Sequence, residues 1–223
     1  MAYTFANIQS KLSTLLADSN TGSDDAFPLA TRKLELNRAE MAFCVDSKSV
    51  LEYATGTISG TSIAIPSDWI ETHIMTISSQ RLDPSREVSL QDYERYYNYS
   101  GLPPYYYYWE ASGVRYIYFF GSTNGTTYRW YYFKKPTTDL SADSDTSIVR
   151  NEYREALAYY AAAELLQQQG QHAVSDKYRA VYQSIVKRAI DQTERLYTSQ
   201  IYPNPDVNLV GGSAQDTQGG GYQ

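Results

Sequence analysis

Few side chains in this sequence have the type and spacing that chemistry needs. The two histidines, His73 and His172, stand alone, one in a strand-like run and one at a break between helical runs. Neither has the spacing of a metal or triad motif. Cys44 is the only cysteine, so no intrachain disulfide or cysteine zinc cluster is expected, which fits a reducing compartment. The acidic pairs Asp24/Asp25 and Asp143/Asp145 have the residue type of glycosidase carboxylates. They lie in polar loops, however, where acids serve solubility. Ser122 to Gly125 is a glycine-containing turn, and no Walker loop, G-x-G-x-x-G or G-x-S-x-G occurs. No enzyme, cofactor or metal is expected.

Composition narrows the remaining classes. The chain has 223 residues, a size that suits one decorated domain or two small ones. Its net charge of −6 argues against a general nucleic-acid binder, because that affinity comes from neutralising phosphates. It is compatible with a protein that lets DNA slide past. The N-terminus has no basic start followed by an apolar core, so no signal peptide is expected. No apolar run is long enough to cross a bilayer. The 23 tyrosines, against six phenylalanines and three tryptophans, are the strongest bias. A ring with a polar tip suits half-buried strands, and it equally suits a repeated protein–protein interface.

The elements that would position any site follow from periodicity. The organising stretch is Ile148 to Tyr197, with no proline and only Gly170. Val149, Tyr153, Ala156, Tyr160 and Ala163 form one helical stripe; Val174, Tyr178, Val181, Ile185 and Ala189 form another. Gly170 marks the cap between two antiparallel helices, 147–169 and 172–197, the first started by Asp145, Thr146 or Ser147. Alanines, among them Ala161 and Ala163, let another helix come close, within or between subunits. Two earlier helices are predicted, one carrying Phe5, Ile8, Leu12, Leu15 and Leu16, the other over 28–45. In the second, Arg32, Lys33, Glu35, Arg38 and Glu40 are expected on the solvated face.

Between these helices the pattern becomes β-rich, over 50–136. A strand pattern over 51–56 leads into 57–62 and then 63–66, another follows at 69–78, and a short helix is predicted at 89–99. Three aromatic strands then follow at 105–109, 114–120 and 126–133. Asn124-Gly125 carries the hairpin signal between the last two. Tyr116, Tyr118 and Phe120 alternate with Ile117 and Phe119, so the strand is either sandwiched or pressed on a neighbouring subunit. After Tyr202, Pro203-Asn204-Pro205 blocks further helix. Residues 206–223 have no lysine or arginine, and Val207, Leu209 and Val210 are the apolar group of a tail expected to order only on a partner. The fold class is α+β: a helical bundle from the N- and C-terminal helices (1–46 and 147–197), a β-rich insertion and an extended tail, 203–223.

The order of segments resembles the head–tail adaptor (connector) proteins of tailed bacteriophages, especially those of podovirus-like tails. The similarity spans roughly 28–197. It rests on Leu34-Glu35-Leu36-Asn37-Arg38-Ala39, on Tyr53-Ala54-Thr55 with Ile65-Pro66-Ser67-Asp68-Trp69, and on Gly101-x-Pro103-x-Tyr105. It continues through Lys135-Pro136, an acidic linker, Glu152 and Arg154 before the alanine-rich helix, and the Gly170 break before Ala173 to Tyr182. The tyrosine density of the sheet departs from that pattern.

The resemblance implies a structural virion protein at the head–tail interface, made in the host cytoplasm. Residues 1–202 would be the adaptor domain. It would join portal to tail or nozzle protein as a homo-oligomeric ring, usually a twelve-fold dodecamer, with DNA passing through its channel at ejection. Tyr202, Val207, Leu209 and Val210 would bind portal; Tyr116, Tyr118, Ala161 and Ala163 would meet a neighbouring subunit or the tail. No membrane partner is implied. The competing class is a tyrosine-rich carbohydrate- or protein-binding module, with Trp109, Tyr116 and Trp130 stacking on sugars.

Overall fold

A computed structural model describes residues 3–16, 27–96, 98–99, 101–102, 104–121 and 123–201; the side chains of residues 90, 93, 94 and 196–201 are not among those described. The tail assignments at Tyr202, Val207, Leu209 and Val210 therefore lie outside the described residues. The architecture is mixed: helices at both ends of the chain and two antiparallel sheets between them.

Helices α1 (Phe5–Leu15), α2 (Leu29–Ser47), α4 (Glu155–Gln168) and α5 (His172–Ile201) form one layer, and α3 (Tyr93–Tyr96) is a single turn. Helix α4 is the hub, packed against α1, α2 and α5. Its Ala156, Ala158, Ala161 and Ala162 are fully buried, together with Phe5, Ile8 and Leu12 of α1 and Leu36, Ala39 and Phe43 of α2. Small side chains on the hub let three helices approach it at once. Gly170 ends α4 with a φ of 75°, the left-handed conformation glycine adopts without a Cβ penalty. The Gln171 N–H then reaches back to the Leu166 carbonyl at 2.9 Å and the Gly170 N–H to that of Gln167 at 3.0 Å.

Two helical expectations change. The first concerns the start of α4, which is Glu155 rather than Ser147, preceded by a short 3-10 turn, Asn151–Tyr153. The backbone of 147–150 is held elsewhere. Arg154 donates to the carbonyls of Ser147 (2.8 Å), Val149 (2.8 Å) and Tyr3 (2.6 Å), tying the N-terminus to this bend. Asp145 caps a turn in the linker, accepting from the Ser141 and Ala142 N–H groups at 2.8 Å each.

The second concerns the charged face of α2. Arg32, Glu35 and Glu40 are buried rather than solvated. Arg32 donates to the Ser13 hydroxyl of α1 at 2.8 Å, Glu35 accepts from Arg38 at 2.7 Å, and Glu40 faces the linker that returns from the sheets. Lys33 donates to the Ser141 carbonyl at 2.7 Å, Asn37 makes a reciprocal pair with the Leu140 backbone at 2.8 and 3.1 Å, and Glu40 accepts from the Ser147 hydroxyl at 2.5 Å and the Ile148 N–H at 2.9 Å. Steps of four and three align Lys33, Asn37 and Glu40 along the helix, so the polar row is a clasp. The apolar residues Leu34, Met41 and Val45 point outward instead, 49%, 37% and 44% exposed.

The second layer is a β-sandwich. One sheet has the order β1 (Leu51–Thr57), β7 (Thr127–Lys134), β3 (Trp69–Ile77), β4 (Gln80–Arg81); the other has β2 (Ser62–Ala64), β6 (Val114–Phe119), β5 (Tyr106–Ala111). Between them lies a core of Ile58, Ile63, Ile65, Met75, Ile77, Tyr106, Ile117, Phe119, Trp130 and Tyr132. This core shares no residue with the helical one.

Ser112-Gly113 makes the β5–β6 hairpin, with φ positive at both positions (53° and 77°), as a type I′ turn requires. Asn124-Gly125 makes no hairpin: β6 and β7 belong to different sheets. Its loop is anchored to the β1–β2 turn, where Asn124 accepts from the Gly60 N–H at 2.9 Å and the Gly125 N–H donates to Ile58 at 2.9 Å. The helix expected over 89–99 shrinks to a 3-10 turn (Leu90–Asp92) and α3. The chain beyond α3 turns so that Tyr96 and Tyr99 both pack on the Tyr105 ring, at 4.2 and 4.8 Å between centroids.

Candidate functional site

Alternation along β5 and β6 sorts their aromatics between two faces. Tyr106, Ile117 and Phe119 turn into the sandwich core. Tyr107, Trp109, Val114, Tyr116 and Tyr118 share the other face, since Tyr107 pairs with Tyr118 and Trp109 with Tyr116 across the strands. None of these five belongs to either core. Trp109 and Val114 are 45% and 40% exposed, and the three tyrosines are half-buried against one another. Tyr107 stacks on Tyr118 with centroids 5.3 Å apart and planes 15° from parallel; Tyr116 lies 5.8 Å from Tyr118. Ser62 and Ala64 of β2 extend the same face, being paired with Tyr118 and Tyr116. No charged residue shares this face among the described residues.

This surface is preorganised: rings already stacked on a paired sheet lose little further freedom when a partner covers them. Beside it, Thr61, Asn98, Tyr107, Tyr118 and Gly121 line a hollow of about 430 Å³. Tyr116 and Tyr118 thus sit side by side on an open face. Ala161 and Ala163 do not join them: both are buried in the helical layer, and the Ala163 carbonyl accepts the Ser175 hydroxyl of α5 at 2.8 Å. Trp130 leaves the sugar platform as well. It is 1% exposed in the sandwich core and donates from Nε1 to Thr72 at 3.1 Å. Sequence reasoning singled out the β6 tyrosines but missed Tyr107 as their stacking partner. The signal was the Tyr105-to-Trp109 run facing β6 across a two-residue turn.

The remaining reactive types have local roles. His73 rests against Phe133 at 5.2 Å, and burial holds its pKa below the usual imidazole range. Cys44 is buried in the helical core, which pushes its thiol up to about 12. The N–H groups of the Asp145 turn hold that carboxyl below its usual range. Burial is the main influence on Glu40 and raises its pKa, against the opposing pull of the Ser147 and Ile148 hydrogen bonds and of Arg154. Among the described residues no group of three His, Cys, Asp or Glu side chains is placed to hold a metal ion. No described helix is long and apolar enough to cross a membrane.

Comparison with curated proteins gives no match. The model of one protein family, the SU10 adaptor protein, matches residues 3–206. That match takes in α1 through α5, both sheets and the linker that clasps them, so the chain belongs to the SU10 adaptor family of phage head–tail adaptors.

Proposed function

We propose that the protein joins the phage portal to the tail as one subunit of an oligomeric ring around the DNA channel. The observation that carries this reading is the uncharged aromatic face of β5 and β6, which lies outside both cores. An open patch of large rings marks a protein contact. Family membership supplies the context, a structural component of the virion that meets other head and tail parts. The acidic balance suits passage of DNA without retention. In this reading residues 1–202 are the adaptor domain, and residues 203–223 lie along the portal with Tyr202, Val207, Leu209 and Val210 as anchors.

Two changes test the two contacts. Replacing Tyr116 and Tyr118 together with serine leaves circular dichroism unchanged and lowers the mass of the assembled particle. Loss of fold with no separable assembly defect would make these rings core residues and end the interface reading. Deleting residues 203–223 leaves a folded protein that no longer sediments with portal particles; full retention rules out the tail as anchor.

A further inference from the structure

Helix α2 buries Arg32, Glu35 and Glu40 and leaves a mainly apolar stripe outward. Leu34, Arg38, Met41 and Val45 are spaced by four, three and four residues, so they fall on one line of the helix. All four are exposed, and none belongs to either core. The opposite side carries Arg32, Leu36, Ala39 and Phe43, all buried. The helix thus removes three charged side chains from water while leaving Leu34, Met41 and Val45 as an apolar surface open to a partner.

We propose that this stripe is seated on the aromatic face of β5 and β6 of a second copy of the chain, making the head-to-tail contact of the ring. The inference rests on the ring reading above and names the two surfaces that meet. Their dimensions agree. Residues 34 to 45 extend about 17 Å along the helix, and a six-residue strand extends about 20 Å. One helix covers one face of a three-stranded sheet.

Their chemistry also agrees. The sheet face carries no charge among the described residues and presents tyrosine and tryptophan π-surfaces. The α2 stripe carries one cation, Arg38, which is ion-paired with Glu35 at 2.7 Å while its side chain stays 61% exposed, and one thioether, Met41. A guanidinium and a sulfur are both attracted to aromatic rings. Symmetric pairing of α2 with α2 would instead leave the aromatic sheet faces uncovered. Symmetric pairing of the sheet faces would leave Leu34, Met41 and Val45 uncovered. Two different surfaces on one chain generate a ring when the rotation closes.

The test uses two full-length variants, Met41→Glu with Val45→Glu, and Tyr116→Ser with Tyr118→Ser. Each is expected to keep the wild-type circular dichroism and to need a concentration about 30-fold higher, or more, to assemble. An equimolar mixture is expected to form a heterodimer and stop there, because it retains one intact pair of surfaces. Analytical ultracentrifugation reads all three. Assembly of either variant at the wild-type concentration, a homodimer of either variant alone, or a mixture that stays monomeric would overturn the contact while leaving a wild-type ring intact. A wild-type chain that stays monomeric both free and on portal particles would overturn the ring and this contact together.

Discussion

Around α4 the core is assembled from alanine, leucine and a small group of aromatic side chains about Phe43, with Glu40 and Arg154 bridging distant backbone at its margin. Between the sheets it is assembled from isoleucine, tryptophan and tyrosine, and the smaller sheet keeps a second aromatic face outside. The helical layer spends its polar side chains on the chain itself: Lys33, Asn37, Glu40 and Arg154 all bind backbone of segments far away in sequence. The sandwich spends its tyrosines on a surface. One layer mainly fixes the chain's own path, and the other presents a rigid platform. The separate buried cores predict that the two layers can be disturbed separately.

The sharpest way to test that separation is Trp130→Ala. Removing a fully buried indole is expected to cost about 3–5 kcal/mol. Amide exchange should accelerate in β1, β3 and β7 and stay near the wild-type rate in α4. Equal acceleration in both layers would show that they unfold as one unit and break the comparison.

A smaller effect is expected on the helical side. Ala161→Leu or Ala163→Leu adds volume where α4 is surrounded by other helices, at a cost of about 1–3 kcal/mol. Because both alanines are buried within the chain, thermal melting should register the change in the isolated protein. Unchanged melting temperatures in both variants would mean that the hub has room to spare.

The smallest effect is expected from Glu40→Gln, which separates the charge of the clasp from its geometry. The amide oxygen can still accept from Ser147 and Ile148. Burial raises the pKa of Glu40 above its ordinary 4.5, so the folded state holds the proton more tightly than the unfolded chain. This contribution to stability is full below the unfolded value and is lost as pH rises through the folded one. Denaturant unfolding from pH 4 to 8 should therefore show a shallower decline for the glutamine variant, with no loss at neutral pH. A variant that loses stability at pH 7 would show that the Arg154 attraction outweighs the burial of the charge.

What the sequence determined by itself is local. The 3.6-residue periodicity placed α1, α2 and α5 within a few residues of their ends, alternation placed β5, β6 and β7, and Gly170 ended α4, because these patterns depend on residues near each other in the chain. The tertiary structure alone decided three things. It turned Glu40 of α2 inward, because the groups that satisfy it lie more than 100 residues away, at Ser147 and Ile148. It spent Asn124-Gly125 on a crossing between sheets, because the β1–β2 turn at Ile58 and Gly60 captures that loop. And it left Tyr107, Tyr116 and Tyr118 outside while burying Trp130, a division that alternation cannot make when both faces of a strand are aromatic. In each case the deciding partner comes from another part of the chain, and burial follows from which partner arrives.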